Sequence, residues 1–169
     1  MLDFEELDEK LIYGLNDQGL FDLLGCDYMR VVTSFLNLLI TYNNEIIGII
    51  NFNTEYTRDF IFIDLYIKEE YQNKGLGKEI TKYVINMFKN NKELLISQTK
   101  ESNIKANKVL SNKGKLILKY KDINYYLLSD LSKLTDEKLQ KLIDHRYYGE
   151  KSKKLILNNK NDYIVIKNN

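Results

Sequence analysis

Two glycines, Gly75 and Gly77, lie between an apolar segment and an amphipathic one, and their spacing is the first feature that suggests chemistry. Glycine has no Cβ atom, so the backbone can approach a ligand closely. Ile80, Val84 and Phe88 recur at helical spacing just after them, which predicts a helix that starts near Gly77. Backbone amides at a helix start bind phosphate oxygens. The spacing therefore predicts a turn that holds a phosphate or pyrophosphate group.

Other glycine-bearing phosphate sites fit this segment less well. A dinucleotide-binding fingerprint requires a third glycine three residues after Gly77, where this chain has Ile80. A P-loop requires Gly-Lys-Ser/Thr after a longer glycine spacing, and the segment does not have it. A plain turn without a ligand is the remaining alternative for Gly75 and Gly77.

The segments on either side of the glycines predict alternating strands and helices. Asn43 and Asn44 tolerate the positive φ of a tight hairpin between two β-rich runs. The predicted elements up to residue 100 are short helices at 4–13 and 17–24, hairpin strands at 35–42 and 45–52, a strand at 59–67, a helix at 77–90 and a strand at 94–98. A strand, a crossover helix and a strand in this order favour parallel pairing, and the hairpin makes the sheet mixed.

The alternation continues after residue 100. Gly114 is predicted to end one helix, and Thr135 is a candidate N-cap for another, with Asp136 and Glu137 in its first turn. The predicted elements are a helix at 103–112, hairpin strands at 115–120 and 124–128 around Asp122, a helix at 135–147 and a last hairpin at 155–157 and 163–166.

Two motifs resemble those of the GNAT superfamily of N-acetyltransferases. The first is Gln72-x-x-Gly75-x-Gly77, and the second, a partial match, is Asn103-x-x-Ala106 followed by Gly114. The resemblance implies an α/β fold with a mixed, mostly antiparallel sheet and a parallel strand pair around the central crossover helix. It makes residues 1–129 a GNAT-like acetyltransferase domain. Residues 130–169 would then be a helix and hairpin extension packed on this core.

The resemblance also implies acetyl-coenzyme A as the co-substrate and no metal. The backbone of Leu65, Tyr66 and Ile67 would pair with the pantetheine arm, and the Leu65 amide would donate to the oxyanion. Gln72 would shape the turn, and Asn103 would contact the coenzyme arm. The pyrophosphate would be held by the amides of six consecutive residues: Asn73, Lys74, Gly75, Leu76, Gly77 and Lys78.

Acetyl transfer to an amine requires removal of a proton, because an alkylammonium with a pKa of about 10.4 is charged at neutral pH. Asp64 is the candidate acid/base or amine-binding carboxylate, because it lies beside the coenzyme strand on the face opposite Leu65 and Ile67. A solvated strand residue is the alternative for Asp64. The run from Asp64 is also similar to the Asp-Leu-Tyr-Val of diamine and polyamine acetyltransferases. Gln98 lies where peptide N-terminal acetyltransferases often carry a glutamate, and a neutral amide cannot act as a base.

Three positions depart from the family pattern. Leu110 replaces a tyrosine that often protonates the departing thiolate, Lys115 replaces an aromatic residue, and Glu69 replaces a proline in the turn. Four tyrosines are candidates for the missing acid, with packing in strands as the alternative: Tyr66, Tyr120, Tyr125 and Tyr126.

Composition narrows the class of protein. The 169 residues suit one domain, and 44% of them are hydrophobic, which is enough for a substantial core. A net charge of +1 provides no bulk electrostatic attraction to nucleic acid or a membrane, so we expect neither as a partner. Cys26 is the single cysteine, which excludes an intrachain disulfide and a cysteine-based zinc cluster and favours a cytoplasmic setting. The abundance of lysine, asparagine and isoleucine indicates an AT-rich genome, and we expect a bacterial source.

We therefore expect an N-acetyltransferase that moves an acetyl group from acetyl-coenzyme A to a primary amine of a small molecule, by direct attack in a ternary complex. One alternative is a degenerate GNAT domain that acts as a coenzyme A-binding or protein-interaction module, which Leu110 and Lys115 favour. Another is a peptide or protein acceptor. Exposed sheet edges and the C-terminal tail are compatible with a homodimer.

Overall fold

The computed structural model describes residues 1–54, 58–120 and 122–147. The strands are β1 (Leu2–Glu6), β2 (Leu36–Tyr42), β3 (Glu45–Asn53), β4 (Phe60–Ile67), β5 (Leu94–Lys100), β6 (Lys115–Tyr120) and β7 (Ile123–Leu127). The helices are α1 (Glu9–Asp17), α2 (Leu20–Leu24), α3 (Tyr28–Thr33), α4 (Leu76–Phe88), α5 (Ile104–Lys113) and α6 (Asp136–Tyr147), and single 3₁₀ turns lie at Glu69–Tyr71 and Leu131–Lys133. The predicted hairpin at 155–157 and 163–166 lies outside the described residues.

The sheet has the strand order β1-β2-β3-β4-β5-β7-β6. Its pairs are antiparallel except for β4 and β5, which are parallel neighbours on either side of the crossover helix α4. The predicted fold class is therefore confirmed. Asn43 and Asn44 have φ angles of 51° and 67° and close the hairpin between β2 and β3, as predicted.

The prediction for the start of the chain was wrong. Residues 2–6 form β1 instead of the beginning of a helix, with Leu2 opposite Tyr42 and Phe4 opposite Ile40. The first helix starts only after Asp8, whose carboxylate accepts a hydrogen bond from the Leu11 amide at 2.7 Å. Pairing with β2 satisfies the backbone of this short segment, and the alternation of Leu2 and Phe4 with Asp3 and Glu5 was the available signal. The helix α3 was not predicted either.

The chain forms two compact units, each with its own hydrophobic core. The first comprises residues 1–54 and 63–79, and its core brings residues of α1, α2 and α3, such as Phe21 and Val31, against Leu39 of β2 and Ile49 of β3. The described part of the second comprises residues 58–62, 80–120 and 122–147. Its core joins Phe60, Leu94, Ile117 and Leu127 to the buried face of α6, which includes Leu142. The predicted boundary after residue 129 stays a prediction.

Two predicted helix boundaries are confirmed by their hydrogen bonds. Thr135 Oγ1 accepts from the Lys138 amide at 3.2 Å and caps α6. The Gly114 amide donates to the Leu110 carbonyl at 2.8 Å where α5 ends. Gly114 is extended rather than left-handed, and glycine is needed there for space, since a Cβ atom would lie 2.5 Å from the Leu127 carbonyl oxygen. Among the described helices, none is long and apolar enough to cross a membrane.

Candidate active site

The predicted phosphate-binding turn connects β4 to α4. After the 3₁₀ turn Glu69–Tyr71, Asn73 and Gly75 both adopt left-handed backbone conformations, with φ angles of 64° and 81°. Asparagine and glycine are the residues that tolerate this region at little cost, so these residue types allow the chain to reverse direction and enter α4 at Leu76. Gln72 also helps to hold the turn, because its Nε2 donates to the Ile67 carbonyl at 2.9 Å.

The amides of this turn are available as donors. Within the described part of the chain, the backbone N–H groups of Asn73, Lys74, Gly75 and Leu76 donate no hydrogen bond to protein. The first amides of a helix have no intrahelical partner and lie at the positive end of the helix dipole. The turn therefore offers several donors to an anion, as the glycine spacing predicted.

Gly77 is a glycine that the fold itself does not require. Its φ is not in the left-handed region, and an added Cβ atom would meet nothing within 4 Å. Glycine in a helix costs about 0.5–1 kcal/mol relative to alanine. Gly14 of α1 is equally uncrowded, so Gly77 bears on a ligand only together with the free amides beside it.

Charged and aromatic side chains flank the turn. Lys74 Nζ lies 4.8 Å from the centroid of the Tyr71 ring, in a cation–π contact. The Tyr71 hydroxyl in turn donates to Glu45, and Lys68 Nζ lies 3.9 Å from the same carboxylate. These contacts keep the lysines near the turn, where positive charge favours phosphate.

The end of β4 presents its peptide groups in two directions. The Lys68 amide donates to the Ile47 carbonyl at 2.8 Å, so the N–H and C=O groups of every second residue, counted back from Lys68, point toward β3. Peptide groups alternate along a strand, and those of Leu65 and Ile67 consequently point toward the other edge of β4. The Leu65 side chain is 37% exposed. Of the backbone expected to pair with the pantetheine arm, the groups of Leu65 and Ile67 thus face away from β3, whereas the Tyr66 carbonyl points toward Gly48 in β3.

Asp64 is not a solvated strand residue. Its Oδ2 accepts from Arg30 Nε of α3 at 2.7 Å, and the Asp64 side chain is only 14% exposed against 30% for Arg30. The guanidinium places a positive charge beside the carboxylate. This position is therefore an organised, partly buried ion pair rather than an isolated acidic group.

Asn103 caps α5 with its side chain. Its Oδ1 accepts from the Ala106 amide at 3.1 Å, which is the N-cap interaction that starts this helix. No hydrogen bond from its Nδ2 group occurs among the described residues, so both Nδ2 hydrogens are available to donate to a ligand.

Comparison with known proteins shows the family of the chain. The model of the acetyltransferase (GNAT) family matches residues 4–113. The chain belongs to the GNAT acetyltransferase family. Acetyl-coenzyme A is the co-substrate of this family. No curated protein matches the chain in sequence.

Solved structures resemble the GNAT chain in fold. An IAA acetyltransferase from Bacillus cereus matches with a TM-score of 0.61 at 13% identity, over 76% of this chain and 99% of its own. The ribosomal-protein-S18-alanine N-acetyltransferase from Escherichia coli matches with a TM-score of 0.60 at 14% identity, over 77% and 96%. The Campylobacter jejuni N-acetyltransferase PseH, solved in complex with acetyl-coenzyme A, matches with a TM-score of 0.53 at 21% identity, over 76% and 98%.

Three of the four candidate tyrosines have surroundings that disfavour the role of the missing acid. The Tyr126 hydroxyl donates to Asn107 Oδ1 at 2.8 Å in a buried site, and burial raises its pKa. Tyr125 is 5% exposed in the core of the second unit. Burial, with a smaller effect from Asp64, raises the pKa of Tyr66 to about 12. A phenol with that pKa gives up a proton poorly to a thiolate whose acid has a pKa of about 8.5.

Leu110 is buried, so the position of the usual tyrosine is filled by an apolar core residue in this GNAT chain. Cys26 is also buried, and burial raises the pKa of its thiol above the ordinary value. Its Sγ accepts a hydrogen bond from Asn51 Nδ2 at 3.5 Å. Cys26 is thus a small core residue.

Sequence reasoning missed two side chains with several polar contacts, Arg30 in the first unit and Asn107 in the second. Arg30 was not connected with Asp64, because the two lie 34 residues apart and no motif links them. Asn107 was read only as a helix residue, yet its Oδ1 accepts from Asn124 and Tyr126, and its Nδ2 donates to the carbonyls of Lys100 and Asn103. An asparagine inside a helix was the available signal, because this residue is unfavourable there without a side-chain role.

Proposed function

We propose that this GNAT protein transfers an acetyl group from acetyl-coenzyme A to the primary amine of a small molecule. The observation that carries the proposal is the turn at residues 72–78. It combines the unpaired amides of residues 73–76, two left-handed residues and a glycine, Gly77, that neither backbone strain nor crowding requires. A ligand pyrophosphate accounts for all three features.

Different backbone groups would bind different parts of the co-substrate. The amides of residues 73–76 would bind the pyrophosphate, whereas the Lys78 amide already donates to the Gly75 carbonyl at 3.1 Å. Gln72 holds the turn through its hydrogen bond to the Ile67 carbonyl. The outward peptide groups of Leu65 and Ile67 would pair with the pantetheine arm, with Tyr66 between them. Asn103 would offer its Nδ2 hydrogens to the same arm.

Acetyl-coenzyme A supplies the thioester, and the residues of β4 supply the groups around it. The acceptor nitrogen forms a bond to the carbonyl carbon, the carbon–sulfur bond breaks, and the sulfur leaves as the thiolate of coenzyme A, which takes a proton from water. The Leu65 amide would donate to the carbonyl oxygen as negative charge develops there. Asp64 would accept the proton that the amine loses, directly or through water.

The Arg30–Asp64 pair bears on the class of acceptor. Similarity of residues 64–67 to diamine and polyamine acetyltransferases favours a cationic acceptor. However, the Arg30 guanidinium opposes a second positive charge near Asp64, since its Nε lies only 2.7 Å from the carboxylate. We therefore favour an acceptor with a single amine over a polyamine. A peptide or protein acceptor is the alternative within the enzyme class.

A degenerate GNAT domain is the second candidate. Two observations favour it, namely that the buried Leu110 occupies the place of the tyrosine acid and that the Tyr126 hydroxyl is committed to Asn107. Such a domain would bind coenzyme A, or nothing, without acetyl transfer.

A pair of glycine variants tests the co-substrate site. Gly77→Glu puts a side chain and a negative charge in the turn. Gly14→Glu makes the same change in α1, at another helical glycine whose Cβ would meet nothing within 4 Å. Both proteins should fold with equal or slightly higher stability, because glutamate is the better helix former by about 0.5–1 kcal/mol.

Binding is measured as the rise in stability with excess acetyl-coenzyme A. At one hundred times the dissociation constant the rise is about 2.7 kcal/mol. We expect it in the wild type and in Gly14→Glu, and its loss in Gly77→Glu. Thiol release with a panel of amines then separates an enzyme from a degenerate domain. Equal binding by Gly77→Glu and the wild type would refute the assignment of the turn.

A further inference from the structure

Gly48 lies inside β3, where glycine is unfavourable unless a neighbour needs the space. A Cβ atom at Gly48 would overlap with the carbonyl oxygen of Tyr66 and would lie 3.3 Å from Ile67 Cα. The pairing of β3 with β2 also shifts here, because Ile40 is opposite Gly48 while Thr41 is opposite Ile46. At this point β3 therefore makes a close backbone approach to β4.

The approach fixes the direction of one peptide group of β4. The Tyr66 carbonyl points toward Gly48 in β3. The peptide unit is planar and trans, so the Ile67 N–H lies on the opposite side of the same plane and points away from β3. Two hydrogen bonds hold the next peptide group. Its N–H, that of Lys68, donates to the Ile47 carbonyl, and its carbonyl, that of Ile67, accepts from the Gln72 side chain. The direction of the Ile67 N–H thus depends on where the Tyr66 oxygen can sit.

We propose that Gly48 is a positioning residue for co-substrate binding. Because it has no side chain, the Tyr66–Ile67 peptide group can lie close to β3 and aim the Ile67 amide at the pantetheine arm. A side chain at residue 48 pushes the Tyr66 oxygen outward and turns this amide away. The inference rests on the proposed function, since it assumes that the outward edge of β4 binds the pantetheine arm.

Two ligands separate this effect from general damage. Coenzyme A carries the pantetheine arm, and 3′-phosphoadenosine 5′-diphosphate is the same nucleotide without it. Titration calorimetry with both ligands is carried out on the wild type, Gly48→Ala and Gly114→Ala. The last variant is a matched control, because a Cβ atom at Gly114 also collides with a backbone carbonyl, that of Leu127, at a different place in the fold.

We expect Gly48→Ala to bind coenzyme A about three- to tenfold more weakly, which is the contribution of about one amide hydrogen bond. It should bind the nucleotide without the arm as tightly as the wild type does. Gly114→Ala should keep the wild-type ratio of the two affinities. Unchanged affinity of Gly48→Ala for coenzyme A, or an equal loss for both ligands, would overturn the inference. Failure of the wild type to bind coenzyme A would instead refute the proposed function, and the inference with it.

A measurement on the wild type covers the case in which Gly48→Ala does not fold. In amide NMR spectra, coenzyme A should shift the Ile67 resonance, whereas 3′-phosphoadenosine 5′-diphosphate should shift the turn amides and leave Ile67 in place. If Ile67 responds equally to both ligands or to neither, its amide does not contact the arm and Gly48 has no such role.

Discussion

The Arg30–Asp64 ion pair should contribute measurably to stability, and a double-mutant cycle with Arg30→Met and Asp64→Asn tests this. Exposed pairs contribute about 0.2–1 kcal/mol, and breaking a fully buried pair costs about 3–5 kcal/mol. With side chains 30% and 14% exposed and a 2.7 Å contact, this pair lies between these limits. We expect a coupling energy of about 1–2 kcal/mol.

Urea unfolding followed by circular dichroism suits the measurement, because the chain has no tryptophan. The control cycle is Lys119→Met with Glu101→Gln. The lysine of that pair is also 30% exposed, but its carboxylate is 54% exposed, so the two cycles differ mainly in burial of the acid. We expect the control coupling to be under about 0.5 kcal/mol and to vanish in high salt, while the Arg30–Asp64 coupling persists.

Equal couplings in the two cycles would refute the reasoning, since burial of Asp64 would then have no energetic consequence. Asp64 would then be an ordinary surface carboxylate, which is the alternative that the sequence left open. A larger and salt-resistant coupling would mean that α3 holds the proposed proton acceptor through Arg30.

Two further predictions concern the buried polar groups. Asn107→Ala leaves two donors, Asn124 Nδ2 and the Tyr126 hydroxyl, without their acceptor. We expect it to lower the free energy of unfolding by about 2–4 kcal/mol, against about 1 kcal/mol for Tyr126→Phe. A loss under about 1 kcal/mol for Asn107→Ala, measured by urea unfolding, would contradict the network. Burial raises the Tyr66 pKa from 10.0 to about 12, so the folded state holds this proton more tightly, and the resulting stability is present below pH 10 and is lost as the pH rises toward 12. Unfolding between pH 10 and 12 should therefore depend less on pH in Tyr66→Phe than in the wild type, and parallel curves would show that the hydroxyl is not perturbed.

Local patterns predicted most of the elements around the site. Alternating and helical periodicities predicted β4 and α4 close to their observed bounds, and the Asn43–Asn44 pair predicted its hairpin. These features depend on backbone preferences of neighbouring residues, which the sequence carries directly. The strand β1 was not predicted, because its stability comes from pairing with β2, more than thirty residues further along the chain.

The sequence by itself determined the turn, because its conformation requires residues that tolerate positive φ, and Asn73 and Gly75 are such residues. It also determined the family, through the motif of that turn and the partial motif from Asn103 to Gly114. Only the tertiary structure decided that Arg30 neutralises Asp64, that Asn107 holds Tyr126 and that Gly48 makes room for Tyr66. Each of these contacts joins residues far apart in the chain. Their energies depend on distance and burial in the folded protein, and no local pattern of residue types encodes either quantity.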